Sequence, residues 1–135
     1  MRLTFYGGAG EVGRSCVLLE EGKRNLMLDC GIKLADQVEF PLLDDSELKR
    51  IEAITVSHAH LDHSGYTPHV YSKKARPKIY LTKPTRDLMG VLLADYHRIQ
   101  AGKGRRLFSE KDVNDILMEA NIIEYQERIA TSLPF

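Results

Sequence analysis

Cysteine is scarce in this chain: Cys16 and Cys30 are the two among 135 residues. They are too few for a disulfide framework and too far apart for a CxxC pair, which points to a reduced setting in the cytoplasm. Net charge is missing as well, because 19 Lys and Arg balance 19 Asp and Glu. That removes any global pull toward nucleic acid or membrane, so a nucleic-acid partner has to be recognised locally. No apolar run reaches membrane-spanning length, and MRLTFYGG lacks the charged and apolar regions of a secretory signal. What remains is ordinary for a soluble globular protein: 43% hydrophobic and 28% charged residues, in a length that suits one domain with a real core.

The first third reads as β-structure. Leu3 to Tyr6 is a short strand, and Ser15 to Glu20 with Asn25 to Asp29 form a hairpin turning at EEGK. A loop from Ile32 to Asp45 follows, after which Asp44 or Asp45 opens a short helical turn. The β-branched run Ile51 to Val56 belongs to a strand from Glu52 to Ser57. From Ser64 to Lys74 the pattern is mixed, and Pro68 permits a helix only within its first turn. Lys78 to Leu81 is another strand. Pro84 suits the start of a helix reaching about Gln100, with Leu88, Val91, Leu92 and Ile99 as its apolar face. AGKGRR ends it. Ser109 and Asp112 then make a capping-box variant for a helix with Val113, Ile116, Leu117 and Ala120 on one side. The tail carries Ile122, Ile123, Tyr125, Ile129 and Leu133.

Gly8, Gly10 and Gly13 spell GxGxxG directly after a strand, with Asp29 further on, an imitation of a dinucleotide-binding fingerprint. That fingerprint needs a helix after the glycines, whose N-terminus holds the pyrophosphate. RSCVLLEEGKRNLMLDCG reads as a hairpin instead, so the glycines serve a tight turn.

The densest chemistry is SHAHLDHSG, which places His58, His60, Asp62 and His63 within six residues at the end of a strand. Imidazole and carboxylate are ligands that zinc favours, and strand ends at a sheet rim are where α/β proteins place their chemistry. His58 and His60 alternate along an extended segment and point the same way. Asp62 and His63 lie where the chain curls toward a helix and face a second ion. Two metals a few ångströms apart suit hydrolysis, above all of phosphodiesters. Asp29, ending a strand before Cys-Gly, reaches the same rim and supports an imidazole or the motif loop. His69 and His97 are read as surface or supporting groups rather than ligands.

HAHLDH with the upstream LDCG resembles the metallo-β-lactamase superfamily. GGAGEVGRSCVLLE, LMLDCG and YLTKPTRDLMGVLLADYHRI resemble, more narrowly, its β-CASP branch of RNA-processing nucleases. They are close to the nuclease subunit of the cleavage and polyadenylation specificity factor and its archaeal relatives, and similar to ribonuclease J. The resemblance implies an αβ/βα sandwich, two zinc ions and hydrolysis of RNA phosphodiester bonds. Carried over by position, His58 and His60 would bind one zinc, and Asp62 and His63 the other. Asp29 would be the supporting aspartate, and Asp62 would also orient the attacking water.

The family continues past this length, with further metal ligands and the β-CASP insert. The expectation is therefore that residues 1–135 form the N-terminal half of the sandwich, an α/β unit whose mixed sheet carries helices on one face. The other face would be apolar and open to the remaining half, to a second chain or to a second copy. Two other readings stand beside the ribonuclease: a small-molecule hydrolase such as a thioesterase, and a non-catalytic module that binds a partner through the open sheet. The basic residues Lys73, Lys74, Arg76, Lys103, Arg105 and Arg106 read as solvated loops before RNA contacts, because no aromatics interleave with them.

Overall fold

The computed structural model describes residues 1–129, so Leu133 of the tail lies outside the described residues, as does the side chain of Lys74. Alternating apolar residues build β1 (Arg2–Gly7), β2 (Cys16–Glu21) and β3 (Arg24–Leu28), paired as an antiparallel meander. Next come β4 (Ala53–Thr55), β5 (Lys78–Leu81) and β6 (Asn121–Ile122), each added in parallel to the strand before it. Spatial order therefore repeats chain order across a six-stranded mixed sheet. Between the strands lie α1 (Asp45–Leu48), α2 (Leu61–Ser64), α3 (Thr67–Val70), a π-helical turn over Tyr71–Ala75, α4 (Lys83–Gly102) and α5 (Glu110–Glu119).

The pleat sorts the side chains. Cys16, Leu18, Met27, Ile54, Ile79 and Leu81 share one core with Leu48, Val70, Met89, Leu93, Val113 and Ile116 from the helices. On the other face, register aligns Leu3, Leu19, Leu26 and Ala53 in one row, and Phe5, Val17, Leu28, Thr55 and Tyr80 in the next. Only a small cluster of Ala53, Tyr80, Leu26 and Ile123 forms there, and Leu3 and Phe5 are 51% and 59% exposed. Helices on one face and an apolar sheet on the other is the architecture expected from sequence.

Local signals set the helix starts. Asp44 caps α1, accepting from the amides of Ser46 and Glu47. Ser109 and Asp112 cap α5 reciprocally, as their spacing predicts. Pro68 sits in the first turn of α3. No helix among the described residues is long and apolar enough to cross a membrane.

Three expectations need correction. The strand read as Glu52 to Ser57 is only Ala53–Thr55. Val56 still donates to Tyr80, but the Ser57 amide leaves the ladder to donate to Asp29 Oδ1. The predicted apolar face of α4 is largely the outer one: Leu88, Val91 and Ile99 are 50%, 65% and 47% exposed, and Leu92 is half-buried against the core. Thr85, Met89, Leu93 and Tyr96 are the buried stripe. Both stripes fit the helical period, and periodicity alone does not choose between two apolar faces. Finally, β6 was not foreseen; two residues are too short for a periodic signal.

The corrected helix face has a direct test. Met89→Ala, emptying a fully buried position, is expected to cost about 2–5 kcal/mol in urea unfolding. Leu88→Ala, on the outer face, should stay within about 1 kcal/mol. Equal losses would restore the original assignment.

Candidate metal centre

The motif begins where β4 runs out. Val56 and Ala59 are buried, Ser57 and His60 point outward, and Leu61–Ser64 winds into the single turn of α2. Ser64, fully buried, fastens that curl by donating its hydroxyl to the carbonyls of Ala59 and His60, at 2.9 and 3.1 Å.

A backbone seam holds the curl against the end of β3. Ser15 donates to the carbonyl of Asp62, Ile32 to Leu61 and Cys30 to His63, each at 2.8 Å. Gly31 lies in the seam, donating to Ser15 at 2.9 Å. A Cβ at Gly31 would lie 1.8 Å from the Asp62 carbonyl oxygen and 2.5 Å from the His63 nitrogen. No side chain fits there, which accounts for the glycine of LDCG.

Asp29 occupies the left-handed region, with φ of 57°, an uncommon conformation that Asp tolerates better than most residues. This turn ends β3 and swings the carboxylate across to β4. Oδ1 accepts the Ser57 amide at 2.7 Å, and Oδ2 accepts the Ser57 hydroxyl at 2.9 Å. Oδ2 also lies 2.7 Å from His63 Nδ1. Asp29 thus supports both an imidazole and the motif backbone, the two roles its position implied. With Nδ1 engaged by the carboxylate, His63 presents Nε2 outward, and Asp62 Oδ2 stands 3.6 Å from it.

One ligand atom each from His58, Asp62 and His63 lie within 4.8 Å of one another. The His58 ring is 3.9 Å from that of His63 and 4.9 Å from that of His60. The structure therefore groups His58 with Asp62 and His63, where alternation had paired it with His60. His60 stands at the edge of the cluster, exposed, at the N-terminal boundary of α2. The donor set is imidazole and carboxylate, with one imidazole oriented by a carboxylate behind it, which is the pattern of metal-ligating histidines. These residues fit a divalent ion.

Sequence reasoning missed Ser57 and Gly31. Ser57 Oγ lies 3.2 Å from His58 Nδ1 and 3.3 Å from His63 Nδ1, so it touches three of the site's side chains. The available signal was a hydroxyl residue directly before the first histidine.

Beneath the rim the side chains are apolar and buried. Cys16 and Cys30 are both buried free thiols with sulfurs 3.9 Å apart, and Met27 Sδ lies 3.3 Å from Cys16. Burial, with Cys16 alongside, pushes the Cys30 thiol well up, so Cys30 stays protonated and inert.

The glycine-rich segment runs into β2, not a helix, so the nucleotide fingerprint is not built. Its residues tie two loops together. Glu11 accepts from Arg14 Nε at 2.6 Å and from Lys33 Nζ at 3.2 Å, while Lys33 also pairs with Glu39. Gly13, at φ of 99°, lets Lys33 lie where a side chain would clash. The remaining histidines are less superficial than expected. His69 Nδ1 donates to the Leu107 carbonyl, 3.0 Å away, and burial lowers its pKa. His97 lies against Phe108. Neither belongs to the cluster.

The Metallo-beta-lactamase superfamily model matches residues 9–120. The chain belongs to that superfamily. Transcription termination factor FttA of Methanococcus maripaludis is 37% identical over 130 residues, covering 93% of this chain and 20% of the relative. Probable RNase MJ4 of Methanocaldococcus jannaschii is 33% identical, covering 95% of this chain and 30% of the relative. Cleavage and polyadenylation specificity factor subunit 3 of Dictyostelium discoideum is 32% identical, covering 96% and 18%. The resemblance read from the opening string is borne out. The chain spans between about a fifth and a third of the length of these relatives. Human tRNase Z, short form, overlays 78% of the chain with a TM-score of 0.43 at 19% identity, too loose a likeness to carry an argument.

Two outcomes follow from the geometry. Gly31→Ala is expected to destabilise the fold by about 1–3 kcal/mol or more, read from chemical denaturation, because the seam has to part to admit a methyl group. An unchanged midpoint would contradict the seam. Arg14 and Lys33 hold Glu11 down to about 2, against an ordinary 4.5. A depressed carboxylate contributes stability that is complete above the ordinary value and is lost as pH falls toward the folded one. From about pH 4.5 down to about pH 2, the wild type should therefore lose stability that Glu11→Gln does not. Parallel curves for the two proteins over that window would contradict it.

Proposed function

We propose that the chain is the N-terminal catalytic portion of a zinc-dependent ribonuclease that hydrolyses RNA phosphodiester bonds in the cytoplasm, in RNA maturation or decay. The observation that carries this reading is the convergence of His58, Asp62 and His63 over the Asp29 clamp, in a chain whose relatives include a probable RNase. His58, His60, Asp62 and His63 are the ligands this chain supplies toward two zinc ions. Zinc held there supplies the Lewis acidity that makes hydroxide available near neutral pH and neutralises charge on the phosphate. Asp29, bound to His63 Nδ1, would leave Nε2 available as the ligand atom. Asp62, beside that nitrogen, would also orient the attacking water.

Three imidazoles and one carboxylate shared by two ions leave each about two protein ligands, fewer than a stable site uses. The completing ligands then come from outside residues 1–135. The open sheet face supports the same view: its two apolar rows suit a second sheet, from further chain or from a partner polypeptide. Under this proposal the isolated chain associates through that face. Size-exclusion chromatography with light scattering should show more than a monomer, and Phe5→Lys should shift it toward one.

For the chemistry, His58→Ala in the complete enzyme should abolish metal-dependent RNA cleavage; undiminished cleavage would sink the proposal. Asp29→Asn should weaken zinc about 10–100-fold in chelator competition, since it loosens His63 without removing a ligand.

A further inference from the structure

Most cations in this chain already have carboxylate partners. Lys73 pairs with Asp45, Arg76 with Asp115 and Glu119, and Lys111 with Asp115. The loop after α4 is different. Lys103, Arg105 and Arg106 lie within four residues, exposed, and none makes an ion pair with a described carboxylate. Nor is the loop loose, for the amides of Gly104 and Arg105 donate to the Ala101 and Gln100 carbonyls at 3.0 and 2.9 Å. One cation near a helix C-terminus is well placed against the dipole. Three exceed that need.

Their location relative to the metal centre gives the loop its meaning. Two separate hollows lie along α4 where it faces residues 33–40. One, about 370 Å³, is lined by His60, Asp62, Lys33, Leu34 and Leu92. The other, about 260 Å³, is lined by Val38, Phe40, Tyr96, Gln100 and Arg105. Lys33 is already committed to Glu11 and Glu39, so the free cation bordering these hollows is Arg105, while Arg106 lines a neighbouring cavity with His97 and Phe108. From Leu92 to Lys103 along α4 is about 16 Å.

We propose that Lys103, Arg105 and Arg106 form a phosphate-binding station for a single RNA strand that leaves the metal centre along α4. The inference rests on RNA being the substrate and adds where this chain grips it, away from the scissile bond. Guanidinium groups match phosphate oxygens bidentately, and an ammonium adds a point charge. Contacts of this kind are made to phosphate and not to base edges, so the grip is on the backbone and indifferent to base sequence.

The test separates this from hydrolysis by measuring binding without metal. A fluorescein-labelled 12-nucleotide oligouridylate is titrated with the chain in EDTA, by anisotropy, across a series of salt concentrations. Lys103→Ala/Arg105→Ala/Arg106→Ala should weaken binding at least tenfold at low salt. It should also reduce the slope of log K against log salt by about two, since single strands contribute roughly 0.7 for each phosphate neutralised. The control is Lys23→Ala/Lys49→Ala/Lys78→Ala, three exposed cations at the opposite end of the parallel strands, also without carboxylate partners. It removes the same charge and should leave the slope nearly intact. Equal losses in both variants, no loss in the first, or no binding by the wild type would each overturn the station. If the station holds while the complete enzyme cleaves no RNA, the proposed hydrolysis fails alone.

Discussion

The carboxylate of Asp29 bonds to three groups at once: the Ser57 amide, the Ser57 hydroxyl and His63 Nδ1. Those bonds end one strand, shorten its neighbour and orient an imidazole. They exist because Asp29 takes a left-handed turn and because Gly31 lets the Asp62 carbonyl approach within a distance no Cβ allows. A backbone conformation that costs free energy is thus held by hydrogen bonds on one side and by close packing on the other. Loss of either support would free the histidines to sample other rotamers, and a site of exposed side chains would become only a polar turn.

Support from below is of another kind. The two thiols, Met27 and the surrounding aliphatic side chains form a layer with no charge in it. Polar atoms at the rim therefore have neighbours only sideways or outward. This asymmetry concentrates the imidazole and carboxylate groups on one side of the sheet edge.

Much of this was legible in the sequence, for identifiable reasons. The hairpin followed from alternation around a glycine turn, and the caps at Asp44 and Ser109 from polar residues at fixed offsets. The candidate metal centre was marked by four imidazole and carboxylate groups in six residues, three of which the fold brings together. Asp29 was placed at the rim because strand ends lie there. What escaped depends on three dimensions. Leu88, Val91 and Ile99 are as apolar as Met89 and Leu93, and only the packed sheet decides which stripe faces inward. His58 keeps company with His63 rather than pairing with His60 alone, because α2 begins its turn at once. Ser57 was invisible as a site residue because its bonds reach back 28 positions to Asp29. The basic loop reads identically with or without carboxylates nearby, and only the fold separates Arg76, which is neutralised, from Arg105, which is not.

The order of the sheet has a consequence for how the molecule is made. Each strand lies beside the one synthesised just before it, so no strand waits for a later segment to be inserted between itself and its neighbour. On a ribosome delivering residues from the N-terminus, the meander can form first and each parallel strand can then dock on a finished edge. Asp29 is already on that edge when His63 emerges 34 residues later. The candidate centre is therefore assembled by template, its clamp in place before the histidines arrive, and β6 is the last of the described strands to dock.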